Sequence, residues 1–229
     1  MIQFEHVTKR YPGGLTALQD VGFEIEPGEM VFLTGHSGAG KSTLLRLILM
    51  LETASRGQVV INGRNLSKTP LSQAPAVRRG IGMIFQDHKL LSDKTVFDNV
   101  ALPLLIAGMR YADIRKRVRA ALDKVGLLPR ERAWPMALSG GEQQRVGIAR
   151  AIVGMPPILL ADEPTGNLDP ELSRELFDVF RQVNAQGVTV LIASHDLALV
   201  REMGQRVLVL SKGTLIDDVP ARIVAGAGA

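Results

Sequence analysis

The sequence predicts an α/β fold, a parallel sheet with helices packed over it. Three observations lead there. The runs Ile158-Leu159-Leu160-Ala161 and Val188-Thr189-Val190-Leu191-Ile192-Ala193 are almost continuously apolar, as strands buried on both faces are. Strand runs alternate with helical patterns over the last third of the chain, at residues 170–186 and 197–203, the arrangement that forms parallel sheets. A glycine-rich loop joins a strand pattern at residues 30–34 to a helical one at 41–51.

Further strand runs lie at 3–7, 21–25, 58–61, 82–85 and 207–210, and further helical patterns at 112–125 and 142–153. The first third is therefore strand-rich. The middle, about 90–150, is helix-rich and reads as an inserted subdomain. In the helix at 112–125, Ile114, Val118, Ala121, Leu122 and Val125 share one face while Arg115, Lys116, Arg117 and Arg119 form a wet basic one, ending at Gly126. Asp169 is a natural N-cap with Pro170 at the first helical position.

The chain has 229 residues, 46% hydrophobic and 22% charged, which suits a soluble globular protein of one large domain or of one domain with a small insertion. It has no cysteine, which excludes disulfides and thiolate metal sites. Net charge is +4 and the pI about 9.6, an excess small enough to serve solubility alone. The N-terminus lacks the basic-then-apolar plan of a signal peptide. The apolar run from Val100 to Gly108 contains Pro103 and falls far short of the ~20 residues of a membrane span. Work at a membrane would proceed from its surface or through a partner. The Ala/Gly end of the chain is expected to fray.

Gly35-His36-Ser37-Gly38-Ala39-Gly40-Lys41-Ser42 has two glycines five apart followed by Lys and Ser. Glycine lets such a loop curl so that several amide N–H groups point at one phosphate chain. Lys41 adds a point charge at the outer phosphates, the Ser42 hydroxyl can ligate Mg²⁺, and the helix beginning there aims its positive end at the same place. The buried run at 158–161 delivers Asp162 and Glu163 at its end, where open α/β sheets bind ligands. Asp162 is suited to holding Mg²⁺, directly or through water, and Glu163 to polarising a water in line with the terminal phosphate. His195 and Gln86 each follow a core strand; the neutral amide of Gln86 could sense Mg²⁺ or the attacking water. Leu138-Ser139-Gly140-Gly141-Glu142-Gln143 combines a capping-box spacing, Ser139 to Glu142, with two glycines at a helix start, a second anion-binding surface.

In order and approximate spacing, residues 35–42, Gln86, 138–143, 158–163, Asn167-Leu168-Asp169 and His195 resemble the ABC-type ATPase domain, over nearly the whole chain. The resemblance implies a P-loop NTPase with a RecA-like parallel core, an N-terminal antiparallel β part and an inserted helical subdomain. Core and β part would occupy about 1–86 and 155–220, the subdomain about 90–152, and a flexible tail 221–229. It implies ATP and Mg²⁺, the latter held by Ser42, Gln86 and Asp162. It implies catalysis by Glu163, His195, Lys41 and Gln86, with nucleotide contacts along the loop from Gly35 to Ser42 and Thr43 and adenine stacking on Tyr11. It also implies a head-to-tail homodimer, in which Ser139, Gly140, Gly141, Glu142 and Asp169 of one copy close over ATP on the other. Asn167 departs from the Ser-Ala-Leu-Asp that many relatives have there.

One ATPase domain without a membrane span resembles the separate motor subunit of a membrane complex, with a cytoplasmic helix of the partner docking near residues 86–99. Phe97, Val100, Leu102, Leu104 and Leu105 would supply apolar surface there, or core. Asp87-His88 after the glutamine and the Asp98-Asn99-Val100 run are most similar to the bacterial cell-division branch. That resemblance implies an integral FtsX-like partner at the inner-membrane septum and a signal to cell-wall hydrolysis. The lipoprotein-releasing and macrolide-efflux branches share Pro164-Thr165-Gly166-Asn167-Leu168-Asp169 and are the alternative. A soluble family member acting on nucleic acid would carry tandem domains or a long coiled coil, and a nucleotide kinase would lack the Ser139 motif; no direct nucleic-acid partner is expected.

Overall fold

The computed structural model describes residues 1–166 and 168–221. The chain divides into two compact units, Met1–Arg78 with the chain from Thr189 onward, and Arg79–Val188.

The first unit opens with β1 (Ile2–Arg10) and β2 (Thr16–Ile25), then β3 (Met30–Thr34), α1 (Lys41–Ile48), β4 (Arg56–Ile61), β5 (Arg64–Asn65) and α2 (Ala74–Arg78). β1 and β2 alternate apolar and polar residues, so Ile2, Phe4 and Val7 share a buried face with Leu18, Val21, Phe23 and Ile25. Phe4 stacks on Phe23 with ring centroids 4.7 Å apart. These strands form an antiparallel sheet in the order β2-β1-β4-β5. β3 is buried along its whole length. α1 stops before the expected residue 51 because Met50 takes a left-handed φ of 51°, which no right-handed helix accommodates.

The second unit runs β6 (Ile81–Ile84), α3 (Val96–Ile106), α4 (Tyr111–Lys124), α5 (Gly140–Ile152), β7 (Ile158–Asp162) and α6 (Pro170–Asn184). β6 and β7 pair in parallel. α4 buries Ile114, Val118, Ala121 and Leu122, the face its sequence pattern marks. α6 buries Leu176, Phe177, Phe180 and Val183, and Phe177 meets Phe180 edge to face at 5.5 Å.

α3 is an element the sequence pattern does not announce. Its apolar residues lack a helical period, and Pro103 lies inside it. A local cap and tertiary contacts together hold it. The Thr95 hydroxyl accepts from Asp98 N at 3.1 Å, while Val96 N and Phe97 N donate to the carbonyls of Ala133 and Glu131, both at 2.9 Å. Val100 and Leu104 are buried, Phe97 and Leu102 half-buried, and Leu105 is exposed.

Asn99 is fully buried and fully used. Its Oδ1 accepts from Leu91 N at 2.8 Å, and its Nδ2 lies within 3.2 Å of the carbonyls of Leu91, Lys94 and Thr95. Asn99→Ala removes all of these bonds from a fully buried side-chain site and is expected to cost about 2–3 kcal/mol. Urea denaturation with an unshifted midpoint would show that water replaces those bonds.

The chain returns to the first unit with β8 (Thr189–Ala193), α7 (Leu197–Met203), β9 (Arg206–Ser211) and β10 (Thr214–Val219). Within that unit the strand order is β10-β9-β3-β8, with β8 and β9 both parallel to β3 and β10 antiparallel to β9. β10, like the short β5 and α2, is also unannounced. Its exposed alternation is broken by Asp217 and Asp218, but Lys212 (φ 49°) and Gly213 (φ 81°) form the two-residue turn of a hairpin. Arg206 fastens it, donating to both Asp218 oxygens at 2.7 Å and to Glu29 at 3.0 Å.

Candidate functional site

The first unit carries the phosphate-loop residues. β3 ends at Thr34 and α1 starts at Lys41, so the six residues between form the loop. Gly35 sits at φ 147°, and a Cβ there would run into the backbone carbonyl of Leu210. Gly40 sits at φ 110°, and its Cβ would lie 2.6 Å from the Ala17 carbonyl and 2.7 Å from Leu18 Cδ2. Conformation and floor thus both require glycine at these two positions. The turn between β9 and β10 supports the loop from below, with Gly213 N donating to the Ala39 carbonyl at 3.0 Å. His36, Ser37 and Gly38 form the exposed crest, and Ala39 is buried.

Lys41 is buried, and its Nζ donates to the Gly35 carbonyl at 2.7 Å. No side chain caps α1 at Gly40. A helix start without a side-chain cap is suited to receiving an anion. Ser42 is exposed at that terminus and Thr43 half-exposed. Among the described residues no three His, Asp or Glu side chains gather as a metal site, so a Mg²⁺ ion here would share phosphate oxygens with the Ser42 hydroxyl. The donor set fits Mg-nucleotide, with glycine-lined amides, a lysine and a serine.

The Tyr11 hydroxyl lies 3.4 Å from Thr43 Oγ1, and Lys9 Nζ sits 4.9 Å from the Tyr11 ring centroid. This places an aromatic ring beside the start of α1. His195 is exposed two residues beyond β8. β8 is parallel to β3 with Leu33 opposite Ala193, and Ser194 N donates to the Leu33 carbonyl at 3.1 Å. Parallel pairing in this register puts His195 and Gly35 at one edge of the sheet.

The second unit repeats the device. Ile84 stands opposite Ala161 in the parallel pair β6–β7, so Gln86, Asp162 and Glu163 leave the same sheet edge. Gln86 is exposed, and Asp162 and Glu163 are half-buried. Glu163 holds φ 49°, a left-handed conformation that costs a non-glycine residue roughly 1–3 kcal/mol and recurs at functional sites. The next turn follows from it, with Gly166 N donating to the Glu163 carbonyl at 3.3 Å.

Ser139 caps α5 with the full capping box. Its hydroxyl accepts from Glu142 N at 3.2 Å, and its own N–H donates to Glu142 Oε2 at 2.8 Å. That backbone bond, together with the Ser139 hydroxyl and Arg130 nearby, holds the Glu142 carboxyl below its usual range. A Cβ on Gly140 would meet open space, whereas one on Gly141 would lie 3.3 Å from Leu168 Cδ2. Gly140 alone therefore leaves the helix start bare. Asp169 caps α6, its Oδ1 accepting from Glu171 N and Leu172 N at 3.0 and 2.9 Å. Asn167 and residues 222–229 lie outside the described residues.

Sequence reasoning did not find the loop's floor, Ala17, Leu18, Leu210 and Gly213. The available signal was the Lys212-Gly213 pair between two strand-like runs, which reads as a hairpin turn.

Comparison with known proteins agrees with this arrangement. The model of the ABC transporter family matches residues 18–166. The chain is 58% identical over 215 residues to the Cell division ATP-binding protein FtsE of Escherichia coli (strain K12), covering 94% of this chain and 97% of that protein. It is 45% identical over 218 residues to FtsE of Bacillus subtilis (strain 168), covering 95% and 96%. Among solved structures, the ATP-binding cassette MJ0796, in a dimeric post-hydrolysis state bound to ADP and Pi, superposes with a TM-score of 0.91. That match is at 35% identity and covers 97% of this chain and 99% of the other. The chain belongs to the ABC transporter family, in the group that the FtsE proteins define.

Proposed function

We propose that the chain binds and hydrolyses ATP as the motor subunit of a membrane ABC complex in cell division. ATP-driven dimerisation would send a signal across the inner membrane that controls cell-wall hydrolysis. The observation that carries the chemistry is Glu163, a carboxylate held in a left-handed backbone at the end of the buried strand β7. The relatives named as cell-division ATP-binding proteins support the process.

In this reading residues 35–43 wrap the phosphates of ATP and Tyr11 stacks on the adenine. Glu163 orients the attacking water and takes its proton. Lys41 and His195 stabilise the charge that develops on the transferred phosphoryl group. Ser42, Gln86 and Asp162 would hold a Mg²⁺ ion, which would supply positive charge to the phosphates. The active form is a head-to-tail homodimer in which Ser139, Gly140, Gly141 and Glu142 of one copy face the ATP of the other, with Asp169 at the same interface.

Residues 90–152 act as the helical subdomain, and the surface near residues 86–99 receives an integral membrane partner of the FtsX type. Among the described residues no helix is long and apolar enough to cross a membrane. The chain is assigned to the cytoplasmic face of the inner membrane, at the septum, through that partner.

Mixed dimers test the shared site. Lys41→Ala removes the loop's ammonium, and Ser139→Arg blocks the start of α5. Neither variant alone should turn over ATP. Mixed in equal amounts they should recover about a quarter of the native rate, because half of randomly assorted pairs are mixed and each holds one intact site of two. A mixture no more active than its components sinks the two-sided site. A membrane pull-down in mild detergent that recovers a lipoprotein-releasing or macrolide exporter would redirect the cellular process while leaving the ATPase chemistry standing.

A further inference from the structure

We infer that Arg150 is a positioning residue that holds the turn carrying Gln86 against α5, so that the turn and the helix move as one body. The inference rests on the role of Gln86 proposed above. Arg150, Gln86 and the turn between them all lie inside the unit Arg79–Val188. Arg150 sits in the last turn of α5, with its guanidinium forked over two consecutive backbone carbonyls. Nη1 donates to Lys89 O at 2.8 Å and Nη2 to His88 O at 2.5 Å.

Those two residues are left-handed, at φ 58° for His88 and 47° for Lys89, although neither is glycine. Two adjacent left-handed L-residues make a costly backbone that persists only where its surroundings hold it. The turn's own bonds are short-range, from His88 N to Phe85 O at 3.1 Å and from Lys89 N to Asp87 O at 2.6 Å. The His88 ring adds no polar anchor at Nδ1, which is buried without a hydrogen-bond partner. Gly147 of α5 lies beside the same turn, where a Cβ would make ordinary contact with the His88 carbonyl at 3.9 Å. The guanidinium is sunk deeply enough that loss of solvation lowers its pKa, so this contact is more than a surface ion pair.

α5 thus has two working ends. Ser139 and Gly140 begin it, where the proposed dimer would present them to the second copy's ATP, and Arg150 at the other end grips the segment two residues past Gln86. Docking at the first end would be carried along a rigid helix to the glutamine.

Steady-state ATPase kinetics of the full chain test this. Arg150→Lys keeps the charge but replaces the rigid two-nitrogen fork by a single nitrogen on a flexible stem, which holds two carbonyls less firmly. It should lower kcat about tenfold while KM for ATP stays within about twofold, because one arm of an orienting clamp is lost and the phosphate loop is untouched. Gln86→Ala should lower kcat as well, and adding Arg150→Lys to it should change kcat by less than about twofold more, since residues acting in series do not add. Lys89→Gly, which holds a left-handed φ without strain, should restore about half or more of what Arg150→Lys loses. A purely structural role predicts no such rescue. Native kcat in Arg150→Lys, an additive double variant, or no recovery with Lys89→Gly each overturns the inference and leaves Gln86 in its role. Native kcat in Gln86→Ala removes that role and the inference with it.

Discussion

Glu163→Gln is expected to bind ATP with native affinity and to lose turnover by at least about a hundredfold, the usual weight of a general base. The substitution is close to isosteric, and glutamine bears the same left-handed penalty at φ 49° as glutamate. The backbone that delivers the side chain from β7 is therefore kept, and only the proton acceptor goes. The nucleotide-binding groups lie on the loop after β3 and are untouched, so affinity should hold. With hydrolysis blocked, the ATP-bound dimer has no route to its product state, and size analysis with Mg-ATP should show a persistent dimer. Near-native turnover would mean that another group activates the water and that the strained backbone at Glu163 serves something else.

Gly35→Ala is expected to weaken ATP binding by more than about tenfold by removing the curl that aims the loop's amides at phosphate. It should also lower Tm by about 5–10 °C, as a loss of a few kcal/mol does in a chain of this size. Two costs act together. At φ 147° an L-residue is strained, and the added Cβ is driven into the Leu210 backbone carbonyl and to 3.0 Å from Ala39 Cβ. Neither neighbour can step aside, because β9 is paired with β3 along Thr34–Val209 and Ala39 is tied by its carbonyl to Gly213. A differential scan with and without Mg-ATP reads both effects. Native Tm and native affinity together would show that the loop does not rest on β9 as described.

The capping signals were legible in the sequence to the residue. Ser139 with Glu142 and Asp169 with Pro170 are local devices, satisfied within four residues of chain, and the structure holds both. The apolar face of α4 was legible for the same reason, since a helical period is a local property. α3 was not. Its helix depends on carbonyls from Glu131 and Ala133, more than thirty residues away in sequence, and its Pro103 argues locally against it. β10 was missed because a half-exposed edge strand with two aspartates carries little apolar alternation. Its pairing with β9 and the Arg206 clamp make it a strand.

By itself the sequence determined the chemical inventory. A glycine loop with Lys41 and Ser42, two carboxylates after a buried run, a glutamine and a histidine after two others, and a capped glycine helix start are properties of short stretches, and residue type alone limits what they do. Only the tertiary structure decided where these groups stand. Strand register brings His195 to the edge of Gly35, and Gln86 to that of Asp162 and Glu163, through hydrogen bonds between segments far apart in the chain. The left-handed backbones of Glu163, His88 and Lys89 are likewise invisible in residue type, because local sterics disfavour that conformation for any L-residue, and at His88 and Lys89 the fork of Arg150 reaches in from about sixty residues away.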